Sequence, residues 1–210
     1  MGKIKDAESN IFDIWRKRYP AIVTDGVVNE AEYENIVFVL KEVNGGEDWD
    51  LCDFLSRGGR PATWNNIARW TYGILNIDKE IPWPELASVD LDKRKQLLKK
   101  ICAMNVKKVS GKAVANSEEV NTFAHENKDL LHRQMEIYKP RIIICCGIGS
   151  DLFVALLKEA DWKMTDRGIW YLDDSETILV DYFHPQTRVK HYFLYYGLID
   201  AIKEILAKRE

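Results

Sequence analysis

The sequence has 210 residues, of which 46% are hydrophobic and 11% aromatic, and its formal net charge is -3. This length fits one domain better than two, and the composition excludes a generally disordered chain. The longest apolar runs are far shorter than the roughly 20 residues of a membrane-spanning helix, so no membrane partner is expected.

The cysteines and the N-terminus indicate a reducing compartment. The four cysteines are too few and too unevenly spaced for a disulfide framework, and they form no CxxC pair: Cys52, Cys102, Cys145 and Cys146. The first residues lack the apolar stretch of a secretory signal. We therefore expect a cytoplasmic protein with no metal and no other cofactor.

The charges are distributed unevenly along the chain. Between Lys93 and Lys112 there are eight basic residues and no acidic one, whereas between Asp25 and Asp53 there are nine acidic residues and one basic one. A net charge near zero therefore does not exclude nucleic acid as a partner, because a local basic surface is enough to bind phosphates.

The order of predicted elements indicates an α/β fold. In chain order, we predict a helix over residues 9–19, a strand over 36–40, helices over 63–75 and 90–100, a strand over 101–106, a helix over 116–138, a strand over 141–147, a helix over 150–159, strands over 169–172 and 177–182, and a helix over 189–207. Buried strands that alternate with helices indicate βαβ units. We therefore predict a three-layer α/β/α architecture with a central, mostly parallel sheet. It forms a single domain over residues 1–210, with the N-terminal helix packed on it.

The ends of the predicted strands are the places where a ligand is expected. In parallel α/β sheets, ligands bind beyond the carboxyl ends of the strands. Here those ends are followed by the loops 41–46, 105–108, 147–150 and 184–188. These four loops therefore hold the candidate functional residues.

The first two loops carry groups suited to a water and a base. Glu42 can activate a water as a general base, although a solvated glutamate beside a turn gives the same pattern. Asn105 has an amide that both donates and accepts, so it can read the edge of a base, with Lys107 and Lys108 on phosphates behind it. An Asn that ends a strand beside a solvated, charged loop is the alternative.

The last two loops are less specific by themselves. Residues 147–150 (GIGS) begin like a dinucleotide fingerprint, but Leu152 replaces its third glycine, so a tight strand-to-helix turn has the same pattern. His184 directly follows a strand, and a neutral imidazole there can donate to developing negative charge, although a lone His is often structural. Trp64, at the start of a helix after a Gly-Arg-Pro loop, is placed to stack on a ligand.

Taken together, these loops resemble the motifs of the uracil-DNA glycosylase superfamily. Residues 41–45 (KEVNG) resemble its first motif, G-E-x-P-G in the iron–sulfur branch, and residues 59–61 (GRP) are similar to the segment that leads to the base-stacking aromatic. Asn105 matches the strand-end Asn that pairs with uracil. Residues 140–149 (PRIIICCGIG) resemble the P-x-x-I-x-x-L-G-x strand and turn, and 184–185 match the H-P of the final motif.

The resemblance implies a uracil-DNA glycosylase-like fold and an enzyme that flips a nucleotide out of the stack and hydrolyses its N-glycosidic bond. Asn105 would hydrogen-bond the base, Trp64 would stack on it, and His184 would stabilise the departing uracil anion. Glu42, or Asn44 in the same loop, would place the attacking water.

The same resemblance implies a DNA-binding surface. Gln186, Thr187 and Arg188 would form the loop that enters the duplex, with Arg188 as a wedge or phosphate contact. Lys107 and Lys108 would lie where the DNA backbone passes. We therefore expect single- or double-stranded DNA as the partner and a monomeric protein.

Departures from the family pattern leave other functions open. Lys41 and Asn44 replace the Gly and Pro of the first motif, Ala62 stands where the stacking Phe is expected, and Gln186 replaces the Ser of H-P-S. The cluster-binding cysteines are absent, so no iron–sulfur cluster is implied. The departures at Lys41, Asn44 and Ala62 support a second possibility, a non-catalytic member that binds nucleic acid or a nucleotide. The acidic segment around the first motif counts against the enzyme, because it would repel phosphate. An unrelated Rossmann-like nucleotide enzyme using residues 147–150 is a third possibility.

Overall fold

The computed structural model describes residues 2–112, 114–149, 163–173 and 177–209 and has a mixed α/β fold. The helices in these ranges are α1 (Lys3–Arg18), α2 (Leu51–Ser56), α3 (Pro61–Leu75), α4 (Trp83–Ala87), α5 (Leu91–Leu98), α6 (Ser117–Glu126), α7 (Lys128–Tyr138) and α8 (His191–Ala207). The strands are β1 (Gly26–Val27), β2 (Ile36–Leu40), β3 (Ile101–Asn105), β4 (Ile142–Cys146), β5 (Lys163–Met164), β6 (Trp170–Asp173) and β7 (Ile178–Tyr182).

The seven described strands form one sheet in the order β1-β3-β2-β4-β7-β6-β5. The four central strands β3, β2, β4 and β7 are parallel to one another. β1, β6 and β5 join antiparallel at the two sides, so the sheet is mixed and only its centre is parallel as predicted. The parallel centre brings the carboxyl ends of four strands to one edge, which we call the carboxyl edge.

Helices cover both faces of the sheet. β2 is buried along its whole length because its side chains alternate between two apolar clusters, one on each face. One cluster packs α2, α3 and α8 against the sheet, and the other packs α1, α6 and α7. The described part of the chain therefore has helices, sheet and helices in three layers, with the N-terminal helix in one outer layer.

The N-terminal helix begins at Lys3, earlier than predicted from the apolar spacing. Its first turn is capped by Glu30, whose carboxylate accepts hydrogen bonds from the N–H groups of Ile4 and Lys5 at 3.0 and 3.1 Å. These donors have no partner within the helix, and a cap that comes from a distant residue leaves no local pattern in the sequence.

The helix predicted over residues 116–138 is two helices, α6 and α7, which meet at Asn127. The Asn127 amide donates to the carbonyl of Phe123 and to the hydroxyl of Tyr19, and Arg18 donates to its Oδ1. The break is therefore fixed by contacts with the end of α1.

One predicted helix lies outside the described residues, and two short strands of the sheet were not predicted. The predicted helix over 150–159 lies outside the described residues, as do Ser150 and Leu152. β1 and β5 are two residues long and have no strand pattern in the sequence. None of the helices in the described ranges combines the length and the apolar character that crossing a bilayer requires.

Candidate functional site

The loops after β2 and β3 are joined at the carboxyl edge. The main-chain N–H of Lys107 donates to the carbonyl of Lys41 at 2.9 Å, and that of Gly111 donates to the carbonyl of Val43 at 2.8 Å. Gly45 returns a bond to the carbonyl of Gly111 at 3.3 Å. The two loops therefore form one wall beside the strand ends.

Asn105 is the last residue of β3 and is 3% exposed. Its main-chain N–H donates to the Asp25 carboxylate, and its carbonyl accepts from the Lys108 ammonium, each at 2.7 Å. Alternation along β3 places its side chain on the face covered by α3. The side-chain Nδ2 has no hydrogen-bond partner among the described residues. A buried donor without a partner is costly, so this amide is suited to a ligand.

Lys108 lies in the interior rather than on the surface. Its side chain is 0% exposed, and its ammonium donates to both oxygens of Asp25 at 2.9 and 2.8 Å. Gln134 donates to the same carboxylate at 2.7 Å, and the rings of Phe12 and Trp15 lie 5.8 and 5.9 Å from the ammonium. Burial lowers the pKa of Lys108, and Asp25 acts in the opposite direction. The prediction that Lys108 contacts DNA is therefore wrong.

Glu42 and Lys107 form an ion pair. The Lys107 ammonium lies 2.9 Å from Glu42 Oε2 and 3.2 Å from Glu119 Oε2, and the Glu42 side chain is almost fully buried. Partial burial lowers the pKa of Lys107, but the hydrogen bonds to the two carboxylates outweigh it, so the pKa is raised overall. A phosphate would have to compete with two carboxylates for Lys107, and a water would have to compete with Lys107 for Glu42.

Asn44 is the exposed polar residue of the first loop. It precedes Gly45 and Gly46, whose φ angles of 74° and 79° lie in the region that favours glycine. The Trp49 indole N–H donates to the carbonyl of Gly45 at 3.3 Å and holds this turn. Asn44 is therefore more accessible to a water or a ligand than Glu42.

His184 is half-buried at the end of β7, as the sequence places it. Its Nδ1 accepts from the N–H of Gln186 at 3.1 Å, which leaves the proton of the neutral imidazole on Nε2. Burial, and then the charge of Lys41, lowers the pKa of His184. Gly147, at φ 65°, lets the His184 backbone approach, since a Cβ there would lie 2.9 Å from that of His184. Thr187 closes the turn by donating to the His184 carbonyl at 2.9 Å.

The loop after His184 is anchored on α3. The Asn66 amide donates to the carbonyl of Pro185 at 2.6 Å, and the Arg69 guanidinium donates to Asn66 Oδ1 at 2.8 Å. The Gln186 amide donates to the hydroxyl of Thr63. These bonds to Pro185 and Gln186 therefore attach the turn that carries His184 to α3.

Trp64 does not present a ring for stacking. It lies in the first turn of α3, is 5% exposed and belongs to the apolar core. Gly59, at φ 62°, packs directly on the ring, since a Cβ there would lie 2.6 Å from Trp64 Cδ1. The prediction that Trp64 stacks on a base is therefore wrong, because the ring is used in packing α3 against the core.

Exposed aromatic rings stand beside the loop after β7. Phe183 and Phe193 are 53% and 62% exposed, and the ring centroids of Phe193 and Tyr192 lie 4.5 Å apart. Arg188 and Lys190 are exposed in the same segment, and residues 183–199 include no acidic side chain. We call Phe183, Arg188, Lys190, Tyr192 and Phe193 the aromatic rim.

Sequence reasoning missed Asp25, Asn66 and the two exposed Phe residues. Asp25 stands alone in an apolar stretch (AIVTDGVV), and Asn66 with Arg69 occupies the buried side of α3. A charged or amide side chain at a position with a buried pattern is the signal that could have found Asp25 and Asn66, because such groups are buried only with partners. The exposure of Phe183 and Phe193 has no signal in the sequence.

One other feature lies away from the carboxyl edge. A depression of about 720 Å³ lies near the start of β3 and is lined by residues that include Lys5, Glu30 and Lys99. Within the described ranges, no group of three His, Cys, Asp or Glu side chains is arranged to hold a metal ion.

No protein-family model matches the sequence, and no curated protein matches it. The resemblance to uracil-DNA glycosylases therefore rests on the motifs themselves, and a function has to be inferred from the geometry of the carboxyl edge.

Proposed function

We propose that the protein is a DNA base-excision glycosylase that hydrolyses the N-glycosidic bond of uracil or a related damaged base. The observation that carries this function is Asn105, a buried amide at the carboxyl edge whose Nδ2 lacks a partner among the described residues. Uracil offers a carbonyl acceptor next to an N–H donor, which complements an amide. A base without that edge would leave Asn105 unpaired, and this penalty supplies selectivity.

His184 stabilises the leaving group in this mechanism. When the C1′–N1 bond breaks, its electron pair departs with the base, and negative charge develops on the uracil oxygens. The Nε2–H of the neutral imidazole donates to O2, so that a donor already in place meets the developing charge. The lowered pKa of His184 keeps the imidazole neutral at physiological pH.

Water completes the reaction from the side of the first loop. Asn44 orients the water, because the carboxylate of Glu42 is held by Lys107. The water adds its hydroxyl to C1′ and loses its remaining proton to solvent, from which the departing uracil anion takes up a proton. The products are an abasic sugar and the neutral free base. An amide orients a water without deprotonating it, so we expect a slower enzyme than one with a free carboxylate.

The aromatic rim supports DNA as the partner. Exposed rings such as Phe183 and Phe193 stack on unpaired bases of any sequence, and Arg188 and Lys190 are free to meet phosphates. The aromatic rim takes over the DNA-binding role that was predicted for Lys108. Gln186 and Thr187 stabilise the turn that lies between Phe183 and Arg188.

Base release tests the function directly. We would measure it on single- and double-stranded oligonucleotides that carry uracil, hypoxanthine or a G·U or G·T mismatch. We expect release of at least one base by the wild-type protein and its loss in Asn105→Ala and His184→Ala. His125→Ala, an exposed residue of α6, is the control that should remain active. No release across the panel contradicts the function, and full activity of both site variants contradicts the site.

One observation favours a non-catalytic binding protein as the second candidate. The residue that the resemblance assigns to water activation, Glu42, is buried against Lys107 at 2.9 Å. A binding protein of this kind would retain uracil-containing oligonucleotides in a salt-sensitive manner and release no base. The same panel, scored for binding as well as release, separates the two candidates.

A further inference from the structure

Asn105 stands where β3 loses its neighbouring strand. β1 pairs with β3 over two residues only, and the chain turns away at Gly26, whose φ is 133°. The N–H and C=O groups of one strand residue point to the same side. Those of Asn105 point toward the vacated β1 side, because the next residue, Val106, donates its N–H to Leu40 on the β2 side.

Asp25 and Lys108 take the place of the missing strand. The Asp25 carboxylate accepts the N–H of Asn105, the Lys108 ammonium donates to its C=O, and the two charges lie 2.8 Å apart with both side chains 0% exposed. Withdrawing an ion pair from water is costly, and a well-packed apolar pair of similar size is often at least as stable. Stability alone therefore does not account for the pair.

We propose that Asp25 and Lys108 are positioning residues that fix the direction of the Asn105 side-chain amide and thereby set which base it accepts. This role rests on the proposed function, since it concerns the base that Asn105 reads. Holding both main-chain groups fixes the Cα–Cβ bond from which the amide extends, while Nδ2 remains available for a ligand. A binding group displaced by about 1 Å from its productive position loses much of its selectivity.

Three variants separate positioning from simple stabilisation. Asp25→Leu combined with Lys108→Met replaces the ion pair by apolar side chains of similar size and removes both contacts to Asn105. Asp25→Asn keeps the shape and one oxygen but removes the charge opposite Lys108. Gln134→Met is the matched control, because the buried Gln134 amide bonds to Asp25 at 2.7 Å and to the Tyr138 hydroxyl at 2.8 Å rather than to Asn105.

Two measurements report on the amide. The first is the ratio of kcat/KM for uracil over cytosine in the same single-stranded oligonucleotide. The second is the ¹H–¹⁵N signal pair of the Asn105 side chain, assigned by its loss in Asn105→Ala. We expect the double variant to lose about tenfold or more in this ratio, mainly through kcat, and to show broadened or split signals. Asp25→Asn should fall between the double variant and the wild type, and Gln134→Met should match the wild type in both measurements.

The outcomes decide between the possibilities. A folded double variant with wild-type selectivity and a single sharp signal pair overturns the positioning role. If the double variant does not fold, the same result in Asp25→Asn overturns it. If the wild-type protein releases no base, the glycosylase function fails by itself. In that case the ¹H–¹⁵N signals of the Asn105 side chain in the ligand-free protein still test the positioning role. Split signals in the variants support it, and unchanged signals overturn it.

Discussion

The loops after β3 and β7 lie at the same edge of the sheet but are built in opposite ways. After β3, Lys108 is fully buried against Asp25, and Lys107 is held by Glu42 and Glu119. After β7, Arg188 and the rings of the aromatic rim are exposed, and His184 is half-buried. The comparison distinguishes a rigid side, closed by buried ion pairs, from an open side with exposed rings and an exposed guanidinium. In the proposed function the rigid side fixes the group that reads the base, and the open side meets the nucleic acid.

Removing one charge from the rigid side is expected to cause the largest change, a loss in the free energy of unfolding. Lys108→Met leaves the Asp25 carboxylate buried without its ammonium partner, so the free energy of unfolding should fall by about 3–5 kcal/mol. Chemical denaturation measures this loss. Asp25→Leu added to Lys108→Met removes the unpaired charge and should recover most of the loss. A double variant as unstable as the single one would show that the pair contributes through packing rather than charge.

A substitution on the open side should instead lower the rate of base release and leave the fold intact. His184→Ala removes the Nε2–H donor, and the loss of one such donor typically costs about 10²–10³ in kcat. Single-turnover base release measures the rate, and thermal unfolding of the same sample checks the fold. Equal rates for His184→Ala and the His125→Ala control would remove His184 from the mechanism and leave the open side with a binding role alone.

The sequence predicted the parallel centre of the sheet because its strands are continuous apolar runs, and it predicted which residues follow their ends. It could not predict that Lys108 turns inward, because a basic run has the same pattern whether its charges meet water or a buried carboxylate. The partner that decides this, Asp25, lies 83 positions away along the chain. The prediction for Trp64 was wrong for the same reason, since the core that covers its ring is assembled from distant segments.

The positions predicted correctly are those determined by local chemistry. His184 follows a strand and precedes Pro185, which favours an extended backbone at that point. Asn105 ends its strand at the edge where ligands are expected. The antiparallel sides of the sheet come from β1, β6 and β5. Of these, β6 was predicted as a strand, whereas β1 and β5 pair over two residues each and have no periodicity for a sequence pattern to detect.

Neutralising a charge of the open side should weaken DNA binding uniformly across sequences. The proposed function requires Arg188 to contact a phosphate. Arg188→Gln would remove that contact, so the slope of log affinity against log salt concentration should fall in magnitude by about 1. Fluorescence anisotropy with a single-stranded oligonucleotide measures the slope. Arg133→Gln is the matched control, because Arg133 is exposed on α7 in the opposite layer and should leave the slope unchanged. Equal slopes for the two variants would place the DNA elsewhere.

Acidification is expected to act on the open side through His184, with the smallest effect. Burial, and then Lys41, lowers the pKa of His184 below its ordinary value of 6.5. On acidification the unfolded chain therefore binds a proton before the folded one does, and stability falls as the pH drops below about 6.5.

His184→Ala removes this contribution, so its free energy of unfolding should decline less than that of the wild type between about pH 7.5 and 5. His191, whose pKa burial also lowers, is present in both proteins and cancels in the difference. Parallel stability curves for the two proteins would mean that the imidazole is as well solvated in the folded state as in the unfolded one, and the neutral donor required for the leaving group would lose its support.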